Sequence, residues 1–156
     1  MFTTLALGSM MMLLTVVVES VFIATAIAAM NRFGPRLVNV NMLLRMIVLL
    51  SSLALWLMAA ISAALWMWAL LFFWLGEFDT IRQAIYFSTV SATTLGFGDV
   101  LLSERWQLLS GFIAANGLVM FSLNTAFLFD VLQRLERASR EADAPTPQET
   151  GGARQP

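Results

Sequence analysis

The residues whose types and spacing suggest chemistry are Thr93, Thr94, Leu95, Gly96, Phe97, Gly98 and Asp99. Their side chains offer no nucleophile paired with a base, so the useful groups are main-chain oxygens. A backbone that aims several successive carbonyls toward one line must visit conformations that a Cβ forbids, and glycine at alternate positions supplies them. Four such strands around an axis would stack rings of oxygens able to replace the hydration shell of a cation. The plainer alternative is a glycine turn joining two helices.

A strand of that kind needs helices to hold it, and the composition indicates a membrane as their setting. Hydrophobic residues make up 59% of the 156-residue chain and charged residues 12%, against roughly a quarter charged in soluble domains. Three apolar stretches, Leu5 to Met30, Leu43 to Leu75 and Trp106 to Phe129, each exceed the about 20 helical residues that cross a hydrocarbon core. Between the second and third, Gly76 to Arg105 carries charges at both ends and is too polar and glycine-punctuated to span. Within it Phe78 to Ala92 reads as a short helix, with Asp79 or Thr80 as N-cap and Ile81, Ala84, Ile85 and Ser88 at helical spacing. Past Asp130 the sequence turns charged, and Ala144 to Gly152 has too little apolar content to offset the entropy of ordering.

Several function classes drop out. Cysteine and histidine are both absent, which removes disulfides, thiolate metal sites and the commonest metal ligand. With no nucleophile and base pair and no metal constellation, an enzyme is not expected, nor is a bound cofactor. Lysine is absent and the formal net charge is −1, so no clustered basic face points to nucleic acid.

Positive residues near span ends prefer the cytoplasm. Arg32 and Arg36 lie after the first span, Arg45 opens the second, and Arg134, Arg137 and Arg140 follow the third, whereas only Arg82 and Arg105 lie between the second and third. This places the N-terminus outside and the C-terminus inside. Trp66, Trp68 and Trp74 near the outer end of the second span, with Trp106 opening the third, fit an aromatic interfacial belt. Reading the first span as a cleaved signal peptide fits less well, since it lacks a basic start and carries Glu19.

Thr94-Leu95-Gly96-Phe97-Gly98-Asp99, preceded by a short helix and flanked by spans, resembles the filter of the pore-loop potassium channels, usually Thr-Val-Gly-Tyr-Gly-Asp. Four of the six positions agree, and the resemblance extends over roughly Leu43 to Val131. It implies a bacterial two-helix-pore type of subunit with one additional N-terminal transmembrane helix. Potassium would be held by the Thr94 hydroxyl and by the carbonyls of Thr94, Leu95, Gly96 and Phe97, with Gly98 completing the filter. Thr93, Asp99, Tyr86, Phe87 and Val90 would flank it.

The departures from the family pattern concern the cuff around the filter. Phe97 lacks the hydroxyl of the usual tyrosine, Tyr86 and Phe87 stand where many relatives carry a tryptophan pair, and Val90 stands where many bacterial relatives carry a glutamate. Asp99 is therefore expected to lack its usual acidic partner. At the outer mouth, Glu77, Asp79, Asp99 and Glu104 outnumber Arg82 and Arg105, either drawing cations in or forming an ordinary hydrated loop.

Elsewhere the residues leave alternatives open. Glu19, mid-span, is a possible regulatory residue; it is protonated, bonded to hydroxyls such as Ser51 or Ser52, or sensing a ligand or protons. Asn116, Met120, Leu123, Asn124 and Phe127 recur at helical spacing and either line the inner cavity or, for the asparagines, bond between helices. Gly117 is a possible hinge or a close-packing position. Asp130 falls at the cytoplasmic mouth, and Arg134 to Glu141 either form a solvated charged face or extend the third helix and help tetramers assemble. A voltage sensor needs arginines repeated within a span, and none is evident.

The resulting expectation is an all-α membrane protein in the bacterial inner membrane, a homotetramer in the lipid bilayer whose permeant ion is K+. Each subunit would comprise an extra helix over 1–30, a cytoplasmic connection over 31–42, a pore domain over 43–131 and a largely disordered tail over 132–156. The pore domain divides into outer helix 43–75, pore helix 78–92, filter 93–99 and inner helix 106–131. The competing expectations are a weakly selective cation channel on the same scaffold, a non-conducting subunit of a larger channel, and a component of a potassium transporter.

Overall fold

The structure is a computed structural model describing residues 2–33 and 42–142. Arg36, most of the connection and residues 143–156 of the tail lie outside the described residues. Four helices follow in order: α1 (Phe2–Phe33), α2 (Met42–Trp74), α3 (Ile81–Ala92) and α4 (Leu108–Ala142), with no β-sheet among the described residues, and residues 93–99 form an unpaired strand between α3 and α4. Three are long and apolar enough to cross a membrane, over Phe2–Met30, Met46–Trp74 and Leu108–Arg137.

The helix termini follow local chemistry. Thr80 caps α3, its Oγ1 accepting from the Gln83 amide at 3.3 Å. The polar sequence after Asp130 remains helical instead of ending at 131. Val131 and Leu135 keep an apolar stripe one turn apart on the cluster of Ala26, Leu53 and Leu57, and Arg134 donates to Asp130 at 2.8 Å. That exposed pair adds less than about 1 kcal/mol, so the apolar stripe accounts for the extension.

α1 runs parallel to α4 and antiparallel to α2. Along α4, Thr4 donates to the Arg105 carbonyl at 3.4 Å and Thr15 lies 3.1 Å from Asn116. Gly8 comes so close to Phe112 that a Cβ would lie 2.7 Å from the ring. Along α2, the Trp56 indole donates to the Phe22 carbonyl at 3.0 Å, with the two rings 5.1 Å apart.

α3 dips back between α2 and α4. Its last residue, Ala92, packs on Gly117, nine residues into α4 and so about 14 Å below the start of that helix, roughly halfway into a hydrocarbon layer. Its base is an aromatic cluster: Phe72 meets Phe87 edge-on at 5.3 Å and Phe78 edge-on at 6.3 Å, with Trp68 5.7 Å away. Trp68 is therefore core, 1% exposed, and not part of an interfacial belt; Trp66 and Trp74 are exposed.

Candidate ion-coordinating strand

The strand begins where α3 ends. Thr94 N–H donates to the Ser91 carbonyl at 3.0 Å and Leu95 N–H to the Val90 carbonyl at 3.0 Å, while Thr94 adopts φ +59°. These are the two bonds of a Schellman cap, whose left-handed position is normally glycine. A β-branched residue there costs about 1–2 kcal/mol and persists only where the surroundings over-determine it. Gly96 N–H also reaches the Val90 carbonyl, at 3.4 Å. Val90 thus contributes through its carbonyl, which turns the start of the strand back on α3.

The orientation of the oxygens follows. No peptide bond is cis, and in a trans peptide the carbonyl points opposite to the N–H of the same plane. The N–H groups of Thr94, Leu95 and Gly96 face α3, so the carbonyls of Thr93, Thr94 and Leu95 face away from it. Left-handed φ recurs at every second residue: +59° at Thr94, +56° at Gly96 and +76° at Gly98, with Leu95 and Phe97 outside that region. In an extended strand successive carbonyls alternate sides; inverting φ at alternate residues suits carbonyls that share one side. Residues 93–99 are all exposed, and a Cβ at Gly96 or Gly98 would meet nothing within 4 Å. The single chain leaves this face open.

The flanking residues divide. The Tyr86 hydroxyl donates to Asp99 Oδ2 at 2.7 Å across the strand, so Asp99 has a phenol partner instead of an acidic one. Phe87 turns the other way, into the core against Phe72 and Phe78. After the strand, Glu77 clamps Ser103, accepting from its N–H at 2.7 Å and its hydroxyl at 2.8 Å, and Arg105 lies over the Trp106 ring at 5.1 Å. The outer segment is pinned at both ends. No sequence spacing signals the Glu77 and Ser103 pairing, which is a product of the tertiary fold.

The hydrogen bond to Asp99, then desolvation and the nearby negative charge, hold the Tyr86 hydroxyl above its ordinary value. The bond requires the protonated phenol, so it is intact throughout the neutral range and lost only as pH rises past that elevated value. Tyr86→Phe is expected to accelerate amide hydrogen exchange of residues 96–99 several-fold at neutral pH without affecting α2 or α4; an unchanged exchange pattern would show that the strand is fixed without this bond.

The candidates on α4 are placed differently from a cavity lining. Asn116, Met120 and Asn124 are 1%, 3% and 5% exposed within the single chain, so they face the subunit interior, and a residue lining a shared pore would be open here. Phe127 packs on the Ala26, Leu53 and Leu57 cluster. Exposed positions of α4 include instead Ala115, Leu118, Val119, Phe121, Ser122, Leu123, Thr125 and Ala126. Gly117 lies against the Ala92 backbone, which is the packing alternative. Glu19 is wholly buried, and its neighbour is Asn124, not Ser51 or Ser52; Ser52 bonds the Leu49 carbonyl.

Three spanning helices, with a short helix and a carbonyl-bearing strand between the last two, define an integral membrane protein of the ion-conducting class. Residues 42–134 match the family model described as ion channel, and the chain belongs to that ion channel family. Neither the curated proteins nor the solved structures gave a match. α1 lies outside the matched residues.

Proposed function

We propose that the chain is one subunit of a potassium-selective channel, four copies of which surround a pore lined by the oxygens of residues 94–97. The observation that carries this reading is the alternation of left-handed φ at Thr94, Gly96 and Gly98 on a strand whose first carbonyls point away from α3 into open space. One strand cannot encircle an ion, and a fourfold ring uses the face that the single chain leaves bare. The C-terminal end of α3, with about half a negative charge, favours a cation beneath the strand. Conduction is passive, with the N-terminus outside and the C-terminus in the cytoplasm. The exposed positions Ser122 and Ala126, one turn apart on α4, are the better candidates for the inner cavity.

The test is ion flux through the purified full chain in liposomes. Potassium uptake blocked by barium, with sodium excluded, is expected; equal potassium and sodium fluxes would favour the weakly selective channel, and no flux at all a subunit that needs another partner.

A further inference from the structure

Six buried side-chain atoms lack a hydrogen-bond partner among the described residues, and four of them are the two oxygens of Glu19 and the amide oxygen and nitrogen of Asn124. Buried polar atoms are normally paired, and here both ends of two neighbouring side chains are unpaired together. The two face each other across the α1 and α4 seam, with Thr15 and Asn116 joined on its filter side. Thr15 lies as close to the Met11 and Met12 carbonyls as to Asn116. Its single hydroxyl hydrogen serves one of these acceptors at a time, and the Asn116 amide N–H donates to Met120 Sδ at 3.8 Å.

We propose that Glu19 and Asn124 form a proton-binding clamp, a carboxylic acid paired with a carboxamide, that ties α1 to the middle of α4. The hydrogen-bonding valences decide this. A neutral acid donates its O–H to Asn124 Oδ1 and accepts from Asn124 Nδ2 at its carbonyl oxygen, giving each of the four atoms a partner. An ionised carboxylate has no hydrogen to donate, so Asn124 Oδ1 stays unpaired beside a buried charge. The terminal torsions of both side chains are soft, so rotation about them brings the four atoms toward the paired arrangement.

Among the described residues, no cation neighbours Glu19 to compensate its ionised form. On α1 the other ionisable residue is Arg32, 13 residues and about 20 Å along the helix. α2 carries only Arg45, in its first turn, whereas Glu19 lies level with the stretch between Trp56 and Trp68. On α3, Arg82 and Tyr86 lie toward the filter end; on α4, Asp130 and Arg134 pair with each other at the surface, and Glu136 and Arg137 are exposed beyond them. Releasing the proton to solvent leaves a charge that the seam does not hold, so α1 parts from α4 at Asn124. Because α1 lies outside the residues shared with the ion channel family, the clamp makes an added helix a proton-controlled brace on α4, the helix that carries the exposed positions Ser122 and Ala126. The clamp itself does not depend on whether potassium is conducted.

The test uses the full chain in lipid vesicles from about pH 5 to about pH 9, a range that covers buried carboxyls. Infrared spectra should show a protonated carboxyl band that Glu19→Gln removes. Hydrogen exchange around Ser20 to Thr25, normalised to the base-catalysed intrinsic rate at each pH, should rise with pH in the wild type. Docking weakens by up to about tenfold per unit between the pH at which the undocked carboxyl ionises and that at which the docked one does. In Glu19→Gln, whose amide pairs with Asn124 without a titrating proton, the normalised exchange should stay flat. Asn124→Leu, which leaves an acid without its partner, should move the ionisation. A missing acid band, superimposable exchange curves for wild type and Glu19→Gln, or a response to sodium or potassium concentration instead of pH would each overturn the clamp.

Discussion

Gly96→Ala and Gly98→Ala are each expected to lower potassium flux by at least about a thousandfold while leaving the fold of the subunit intact. Both glycines adopt left-handed φ, +56° and +76°, where a Cβ costs about 1–2 kcal/mol. One copy of that strain is modest. Four copies in one ring total about 4–8 kcal/mol, enough to displace the conducting backbone by three decades or more. The strain is relieved by flipping peptides, which turns carbonyls off the axis. A Cβ at either position meets no atom within 4 Å in the subunit, so packing gives no reason for misfolding. Circular dichroism melting of the full chain should therefore agree with wild type to within a few degrees while flux is lost. An alanine variant that conducts at the wild-type rate would remove the basis for reading residues 94–98 as a filter.

The contrast between Thr94 and the two glycines marks what the sequence reveals. Glycine alternation is local and legible, since few uses other than left-handed backbone explain it. Thr94 in the same conformation was not legible as such, because the cap that stabilises it is made by the carbonyls of Val90 and Ser91, which no residue type announces. The three spans were legible for the same reason as the glycines, since apolar length is a property of a single segment. What lay beyond reach were partners between segments: Tyr86 with Asp99, Glu77 with Ser103, Glu19 with Asn124. Helical spacing put Asn116, Met120 and Asn124 on one face of α4, but spacing does not say whether that face meets water or another helix. The added helix α1 meets Asn116 and Asn124 through Thr15 and Glu19, while Met120 faces α2 and the end of α3, and these residues are core as a consequence. Of the two readings of the charged stretch after Asp130, the structure has the helical extension, because Val131 and Leu135 continue the buried stripe through it.

Gly117→Ala is expected to destabilise the subunit by about 1–3 kcal/mol, the range for overpacking a close contact. The two uses of this glycine predict opposite signs. At a hinge in an otherwise unhindered helix, alanine removes a conformational cost and stabilises by about 0.5–1 kcal/mol. At Gly117 a Cβ would lie on the Ala92 carbonyl oxygen and 2.8 Å from its carbon. These are backbone atoms, so no rotamer change relieves the clash and the end of α3 has to move. The same movement displaces the Ser91 and Val90 carbonyls that cap the strand, so flux should fall along with stability. Gly111 provides the control within the same helix: it is exposed and a Cβ there meets nothing within 4 Å, so Gly111→Ala should be neutral or slightly stabilising. Unfolding midpoints of the two variants in the same detergent should therefore shift in opposite directions. Equal upward shifts would make Gly117 a flexible joint, and the depth of the strand would then need a support other than the contact between α4 and Ala92.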